Sequence, residues 1–457
     1  MLFDEMEFGS YDRAERNARK AYELYEDGFM NQALAELEQA LEINPTNSAW
    51  HFNKGLTLDA INRFEEAIVE YEAASDLSPE DLEILNSLAV DYTRTGQYDR
   101  AIATFERIQQ MDPHFEPSYC NRIITYTEMA LHDQAEQMFY LAQQIEPDCA
   151  LCYYNIGNSL FVRGLYKKAI RCWLKTAELE PAHPQINYRI AQAYWSDGDP
   201  VRAHEHFLAE LRLNPGDIDV ILDFALFLLE QGQIDSAREK FHRILEFNPE
   251  HAPASFYLGE IAFDQEDLAR AERLFEEALS RDPGLPGPHY RLAQCALAGG
   301  RPKEGRAFLI TELELDIDDA GTLISMGSMF LTIGDVDHAI HCLLRATNLD
   351  PSNAEALYYL GVTAANKGHL DDAAEFFAHA LDLDSEHLSA LRDSAFTYLA
   401  ARQLDRATER IARARTIAPK DCELRMLDCS IRMMRTIDRL GQWARRLDPR
   451  CLLRRRR

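Results

Sequence analysis

The chain lacks a long apolar run. Its densest apolar stretch, Ile221 to Leu229, is broken by Asp223 and is too short to span a bilayer. It also lacks alternating runs of period two, which excludes a strand-built fold. Positive charge is scarce: 48 Lys and Arg stand against 76 Asp and Glu, a formal net charge of −28. Ten Arg against two Asp fall between Arg432 and Arg457, a local excess of eight positive charges, so the remainder carries −36 on the same count. Acidity on that scale keeps a long chain dispersed. It repels phosphate, so no nucleic acid is expected along it, and it attracts a cationic protein segment. From Met1 to Asn17 there is neither a basic n-region nor an apolar h-region, so no signal peptide and no transmembrane segment is expected. The nine Cys show no even spacing and read as reduced thiols of a cytoplasmic protein.

Catalytic signatures are scarce too. Gly300 to Arg306 mimics the glycine spacing of a phosphate loop, but the following Lys-Ser/Thr is missing and no strand precedes it. His204-Glu205-His206 lacks the four-residue His spacing of a zinc protease and reads as a solvated helix surface. Cys149 and Cys152 form a lone CxxC, with Cys120 and Cys172 in neighbouring units. Four thiolates hold zinc in principle, but the second CxxC is absent. We therefore expect no catalytic residue, no metal and no cofactor, and read the chain as a non-enzyme.

What the chain does have is a spacing. Pro45, Pro79, Pro113, Pro147, Pro181, Pro215, Pro249 and Pro283 fall one every 34 residues; Ile317, Pro351, Ser385 and Pro419 continue the column. Twelve residues before each lies a second column, from Ala33 and Ala67 to Ala407, with Gly305 replacing the ninth Ala. Four residues after the Ala column lies a large residue, such as Tyr71, Phe105, Trp173, Phe275 or Phe377. A small residue, such as Gly55, Ala89, Gly157, Gly259 or Gly361, opens each unit. Gly96, Gly164, Gly198, Gly232, Gly334 and Gly368 sit between the halves, where a left-handed C-cap is wanted. Each unit therefore reads as a helix, a tight turn, a second helix and a proline stop.

On these columns the chain resembles the tetratricopeptide repeat (TPR) family. Repeat five carries the signature positions as Tyr153, Ile156, Gly157, Leu160, Gly164, Ala169, Trp173 and Pro181. The resemblance implies an all-α, right-handed superhelix. Residues 1–13 are a lead whose Leu2, Phe3, Met6 and Phe8 cover the first repeat; 14–421 are twelve tandem repeats. Residues 422–457 are an amphipathic capping helix and an Arg-rich tail. In that helix Leu424, Leu427, Ile431 and Met434 form the packing stripe, continued by Trp443 and Leu447. The tail, ending in Arg454 to Arg457, reads as a charged end without an assigned partner. Repeat nine lacks both the Ala and the Pro of their columns and reads equally as a soft joint or as drift.

The family binds partners with the concave face of each unit's first helix. The positions implied to line it are Tyr154, Phe161, Tyr188, Trp195, Phe256, Phe263 and Tyr290, with a polar row of Asn155, Asn158, Arg189 and Gln192. Aromatic anchors on a curved groove suit an extended peptide or an amphipathic helix, and rings at these slots equally suit ordinary core. The Asn row is similar to the asparagine ladder of O-linked GlcNAc transferases. The Lys of the chaperone-binding carboxylate clamp is absent, replaced by Asn86, Cys120 and Tyr154. The function expected is a scaffold or adaptor binding protein segments in the groove. The alternative is an accessory subunit of an enzyme or assembly complex, for glycosyl transfer, secretion or cell-envelope assembly, engaging a folded partner. Assembly into a homo-oligomer is left open.

Overall fold

The computed structural model describes residues 2–315 and 317–446, with side chains described from 12 to 440 apart from 316. The expectations for Leu2, Phe3, Met6, Phe8 and Trp443 concern side chains outside that range. Leu447 and the terminal Arg run lie outside the described residues altogether. Among the described residues there are 25 helices and no strand. None of these helices is long and apolar enough to cross a membrane.

Repeat three shows how the columns make one unit. Asp81 takes the N–H groups of Glu83 and Ile84 and starts the helix Leu82–Arg94. At its end the Gly96 N–H donates to the Thr93 carbonyl and the Gln97 N–H to the Tyr92 carbonyl, which closes the helix over a left-handed residue. Gly96 holds φ at +72°. The second helix, Tyr98–Met111, then runs to the stop at Pro113. The left-handed slot recurs in all twelve repeats, at residues 28, 62, 96, 130, 164, 198, 232, 266, 300, 334, 368 and 402. Four of these are not glycine: Asn62, Ala130, Glu266 and Arg402 adopt φ near +60° although a Cβ disfavours it.

The small and large columns meet inside each unit. A Cβ added to Gly157 would lie 2.6 Å from Cδ1 of Trp173, and one on Gly259 would lie 2.6 Å from the ring of Phe275. Gly361 stands in the same relation to Phe377. Trp173, Phe275 and Phe377 are fully buried, so the missing side chain is what admits the ring.

The chain divides into two compact units, Met1–Gln233 and Ile234–Arg457. The first ends after the first helix of repeat seven, Ile218–Glu230. Its core includes Tyr71, Leu85, Phe105 and Ile108, and a ring group of Phe207, Phe224 and Phe227, with Phe207 and Phe224 stacked at 5.3 Å. The second unit ends in the helix Cys422–Arg446. Leu424 and Ile431 of that helix are buried in one cluster with Tyr398 and Ile411, and Leu427 and Met434 pack against it. This is the stripe expected of a capping helix.

Candidate functional site

In the first unit, Tyr154 and Phe161 stand on the helix Ala150–Val162, and Tyr188, Arg189, Gln192 and Trp195 on the helix Ile186–Ser196. The four rings are all half-buried. Phe161 lies 5.6 Å from Trp173, and Tyr154 lies 4.5 Å from the ring of His183. The Tyr188 hydroxyl donates to Asp223 Oδ2 at 2.8 Å, and Gln192 Nε2 donates to the same oxygen at 2.9 Å. Trp195 Nε1 donates to Glu230, and its ring meets Phe227 edge-on at 5.8 Å. The Tyr188 and Trp195 bonds each span 35 residues, one repeat plus one position. The polar heads of Tyr188, Gln192 and Trp195 are thus tied to the next repeat, and the rings keep part of their faces in solvent. Burial, reinforced by the bond to Asp223, pushes the Tyr188 hydroxyl pKa upward, which keeps it a neutral donor.

Asn155 differs from its neighbours. It is buried, and its amide nitrogen donates to the Cys120 carbonyl at 3.1 Å, so it links repeats four and five and is withdrawn from the surface row. Asn158, one turn on, is half-buried, and Arg189 reaches Gln192 at 3.4 Å.

In the second unit, Phe256 and Phe263 stand on the helix Ala252–Asp264 and Tyr290 on the helix Pro288–Ala298. Phe256 and Tyr290 line an open pocket of about 570 Å³, together with Glu260, Pro286, Arg291, Glu312, Ile317, Asp318 and Asp319. Phe263 stands outside the lining, under the Arg291 guanidinium, which lies 5.1 Å from its ring centroid. Arg291 also pairs with Glu260 Oε2. Burial raises the Glu260 carboxyl pKa, against the pull of Arg291, and its Oε1 is buried without a hydrogen-bond partner. The pocket sets four carboxylates against one guanidinium, with two ring faces beside them.

Two residues that hold these rows in place went unread in the sequence. Repeats six and nine carry an extra proline, Pro184 and Pro286, directly after the usual cap position. Their first helices start late, at Ile186 and Pro288, behind Gln185 at φ +57° and Gly287 at φ +107°. Neither cap residue supplies a side-chain bond. A buried glutamate from the second helix of the same repeat takes over. Glu312 accepts from the Gly287 N–H at 2.6 Å and the Tyr290 N–H at 3.1 Å; Glu210 accepts from the Tyr188 N–H at 3.3 Å. The extra proline three repeats apart, matched by Glu210 and Glu312 at the same spacing, was the available signal.

The thiols also depart from expectation. Cys120 and Cys152 are joined as a disulfide, which corrects the reading of all nine as reduced. Their helices, Glu116–Glu128 and Ala150–Val162, run side by side and bring the two Cα atoms to 5.1 Å. Cys149 lies 3.4 Å from Cys120, and Glu116 replaces Cys172 as the fourth member of the group. Burial, then the contact with Glu116, pushes the Cys149 thiol up to about 12, so it is no poised nucleophile. His204 and His206 are not a solvated surface. His204 packs on Phe224 at 5.3 Å, and His206 stacks on Tyr194 at 5.6 Å and bonds Asn187, because the first helices of repeats six and seven close over both.

Tandem helix–turn–helix units with a row of half-buried rings along the first helices define an α-solenoid repeat protein, a class that presents extended concave surfaces. Models of the tetratricopeptide repeat match residues 154–218, 222–286 and 326–387, and 262–319. A model of the Psidin N-terminal TPR region matches 15–161. The chain belongs to the tetratricopeptide repeat family. Repeats of this kind typically serve as non-enzymatic scaffolds for protein–protein interaction. Comparison with curated proteins gives no match. Among solved structures, the chain is similar to YrrB, a TPR protein with an unusual peptide-binding site, at 23% identity over 40% of this chain and 95% of that one, with a TM-score of 0.37. It is similar to Cut9 in the APC/C hetero-tetramer Cut9–Hcn1 at 14% identity over 93% and 98%, with a TM-score of 0.43. Yeast Tom70 matches at 14% over 95% and 97%, with a TM-score of 0.40.

Proposed function

We propose that this chain is a non-enzymatic adaptor that binds protein segments on the inner faces of its repeats, organised as a lead of residues 1–13, twelve repeats over 14–421 and a capping segment over 422–457. The observation that carries the reading is the acidic, ring-lined pocket of the second unit. Phe256 and Tyr290 offer aromatic faces, and Glu260, Asp318 and Asp319 offer negative charge. That combination suits a Lys or Arg side chain of a bound segment, held by cation–π contact and by ion pairing. The first unit offers Tyr154, Phe161, Tyr188 and Trp195 as apolar anchors, with Asn158, Arg189 and Gln192 as polar contacts. Such anchors dominate peptide affinity when they are rigid, and the links to Asp223 and Glu230 hold Tyr188 and Trp195 still.

The test is capture from native lysate, followed by anisotropy titration of the recovered segment. Tyr290→Glu in the second unit and Tyr188→Glu with Trp195→Glu in the first are run beside the wild type. Loss of a hot-spot ring costs roughly 2 kcal/mol or more, about 30-fold in Kd. Binding through the second unit weakens with salt, and binding through the rings of the first tolerates it. Unchanged capture by both folded variants would remove the inner face from consideration and leave the accessory-subunit reading, with a folded partner on the outer surface.

A further inference from the structure

The cluster between repeats four and five carries more than a cross-link. Glu116 and Cys120 sit four residues apart on one face of the helix Glu116–Glu128. Cys149 caps the helix Ala150–Val162, accepting the Cys152 N–H at 3.2 Å, and Cys152 lies on its first turn. The four donor atoms, three sulfurs and one carboxylate oxygen, all lie within 4.8 Å of one another. Cys120 and Cys152 are buried, and Cys149 and Glu116 half-buried.

A disulfide accounts for two of these groups and leaves the other two unexplained. Glu116 Oε1 lies 3.0 Å from the Cys120 sulfur and 2.9 Å from that of Cys152. Once joined, neither sulfur has a hydrogen to give, and only the Cys149 thiol remains as a donor to the carboxylate. A partly buried carboxylate aimed at two bonded sulfurs is a poor arrangement. Three sulfurs and an oxygen converging on one point is what a tetrahedral soft cation requires. Zinc takes sulfur at about 2.3 Å and oxygen at about 2.0–2.2 Å, which sets its ligands roughly 3.5–3.8 Å apart.

We propose that, in its reduced state, the chain holds one zinc ion between repeats four and five through Cys120, Cys149, Cys152 and Glu116. Reduction of the Cys120–Cys152 bond by a dithiol consumes two electrons and two protons and yields two thiols. Binding then breaks three S–H bonds, releases three protons to solvent and forms three zinc–sulfur bonds and one zinc–oxygen bond. The net charge of the centre is −2, the same as that of a four-cysteine zinc site, and the amide N–H of Cys152 bonded to Cys149 offsets part of it. The ion ties the first helices of two successive repeats and fixes Tyr154, two residues beyond Cys152. Metal and disulfide are mutually exclusive states of the same two sulfurs, so occupancy depends on thiol redox state.

The experiment uses the full chain, reduced with a dithiol and then exchanged into buffer with zinc or with cobalt. Wild type retains one zinc per chain by elemental analysis, and cobalt produces a thiolate-to-metal charge-transfer band. Cys149→Ser and Glu116→Gln weaken zinc at least 10-fold in a chelator competition, and Cys172→Ser leaves it unchanged. Glu116→Gln keeps the side chain's size, and its helicity by circular dichroism identifies any loss due to misfolding. The wild-type titration needs no variant at all. Absence of bound zinc and of the cobalt band in reduced wild type overturns the proposal. So does a count of seven free thiols among the nine Cys after native reduction, which assigns the cluster to a structural disulfide alone.

Discussion

Replacing Gly157 by Ala sets two familiar effects against each other. Ala is the better helix former, and in an exposed helix interior the change gains about 1 kcal/mol. At this position the new Cβ stands 2.6 Å from Cδ1 of Trp173 and 2.9 Å from its Cε2, separations that a buried ring relieves only by moving. Trp173 is 1% exposed and has no room to rotate away. Overpacking of this kind costs about 1–3 kcal/mol. The shift also strains the bond from the indole N–H to the Tyr154 carbonyl, now 3.1 Å, worth about another 1 kcal/mol. The clash and the lost bond together exceed the propensity gain, so Gly157→Ala destabilises by roughly 1–3 kcal/mol. The assay is urea unfolding at constant m, read as a lowered midpoint. Trp173→Phe in the same background removes the crowded edge and recovers part of the loss, a coupling that distant sites do not show. An unchanged or raised midpoint for Gly157→Ala would refute the close approach and with it the pairing of small and large columns.

Ala130→Gly relieves a left-handed residue at φ +57° and, after the cost of a looser unfolded chain, stabilises by about 0.5–1 kcal/mol, read as a raised thermal midpoint. Asp91 is fully buried, and burial, then Asp59, raises its pKa to about 6 against the pull of Arg94. A raised carboxyl is a stability term present below the unfolded value near 4 and lost as pH rises through about 6. The wild type therefore loses on the order of 2–3 kcal/mol across that window, and Asp91→Asn flattens the profile measured by denaturant midpoints from pH 4 to 8. Glu312→Gln leaves one oxygen to accept from one of the Gly287 and Tyr290 N–H groups and sets an NH2 against the other; hydrogen exchange at that opposed amide rises about 10-fold or more, with little change at Asp81-capped Glu83 and Ile84.

The fold was legible because most units repeat the same steric statement. A proline forbids a helix, a left-handed slot turns the chain, and a small residue faces a large one; twelve repetitions at one period leave no competing register. The left-handed slot held even at Ala130 and Glu266, where the local residue argues against it, because both helices that flank it are fixed by packing. The candidate site was legible only as a set of positions. That Tyr188 and Trp195 share one side of a first helix, seven residues apart, follows from the period, but their anchoring to Asp223 and Glu230 depends on how far each repeat is rotated against the next, which no single unit encodes.

The same limit explains the misreadings, and they have one cause. Asn155 shares a slot with Arg189, yet the carbonyl of Cys120 captures its amide, because repeats four and five approach closely where the sulfurs meet. Glu116 belongs to the thiol cluster through its place one turn before Cys120, and Cys172 is excluded because it lies on the second helix of its repeat. Glu312 went unread because only the late start of the helix Pro288–Ala298 turns its N–H groups toward it. In each case the residue type was ordinary for its slot and the deciding partner came from another helix. In a repeat protein the period fixes which face a residue occupies, and departures from the period fix what it does there. The irregular starts of repeats six and nine and the cysteines of repeats four and five are the places where this chain departs from its own period.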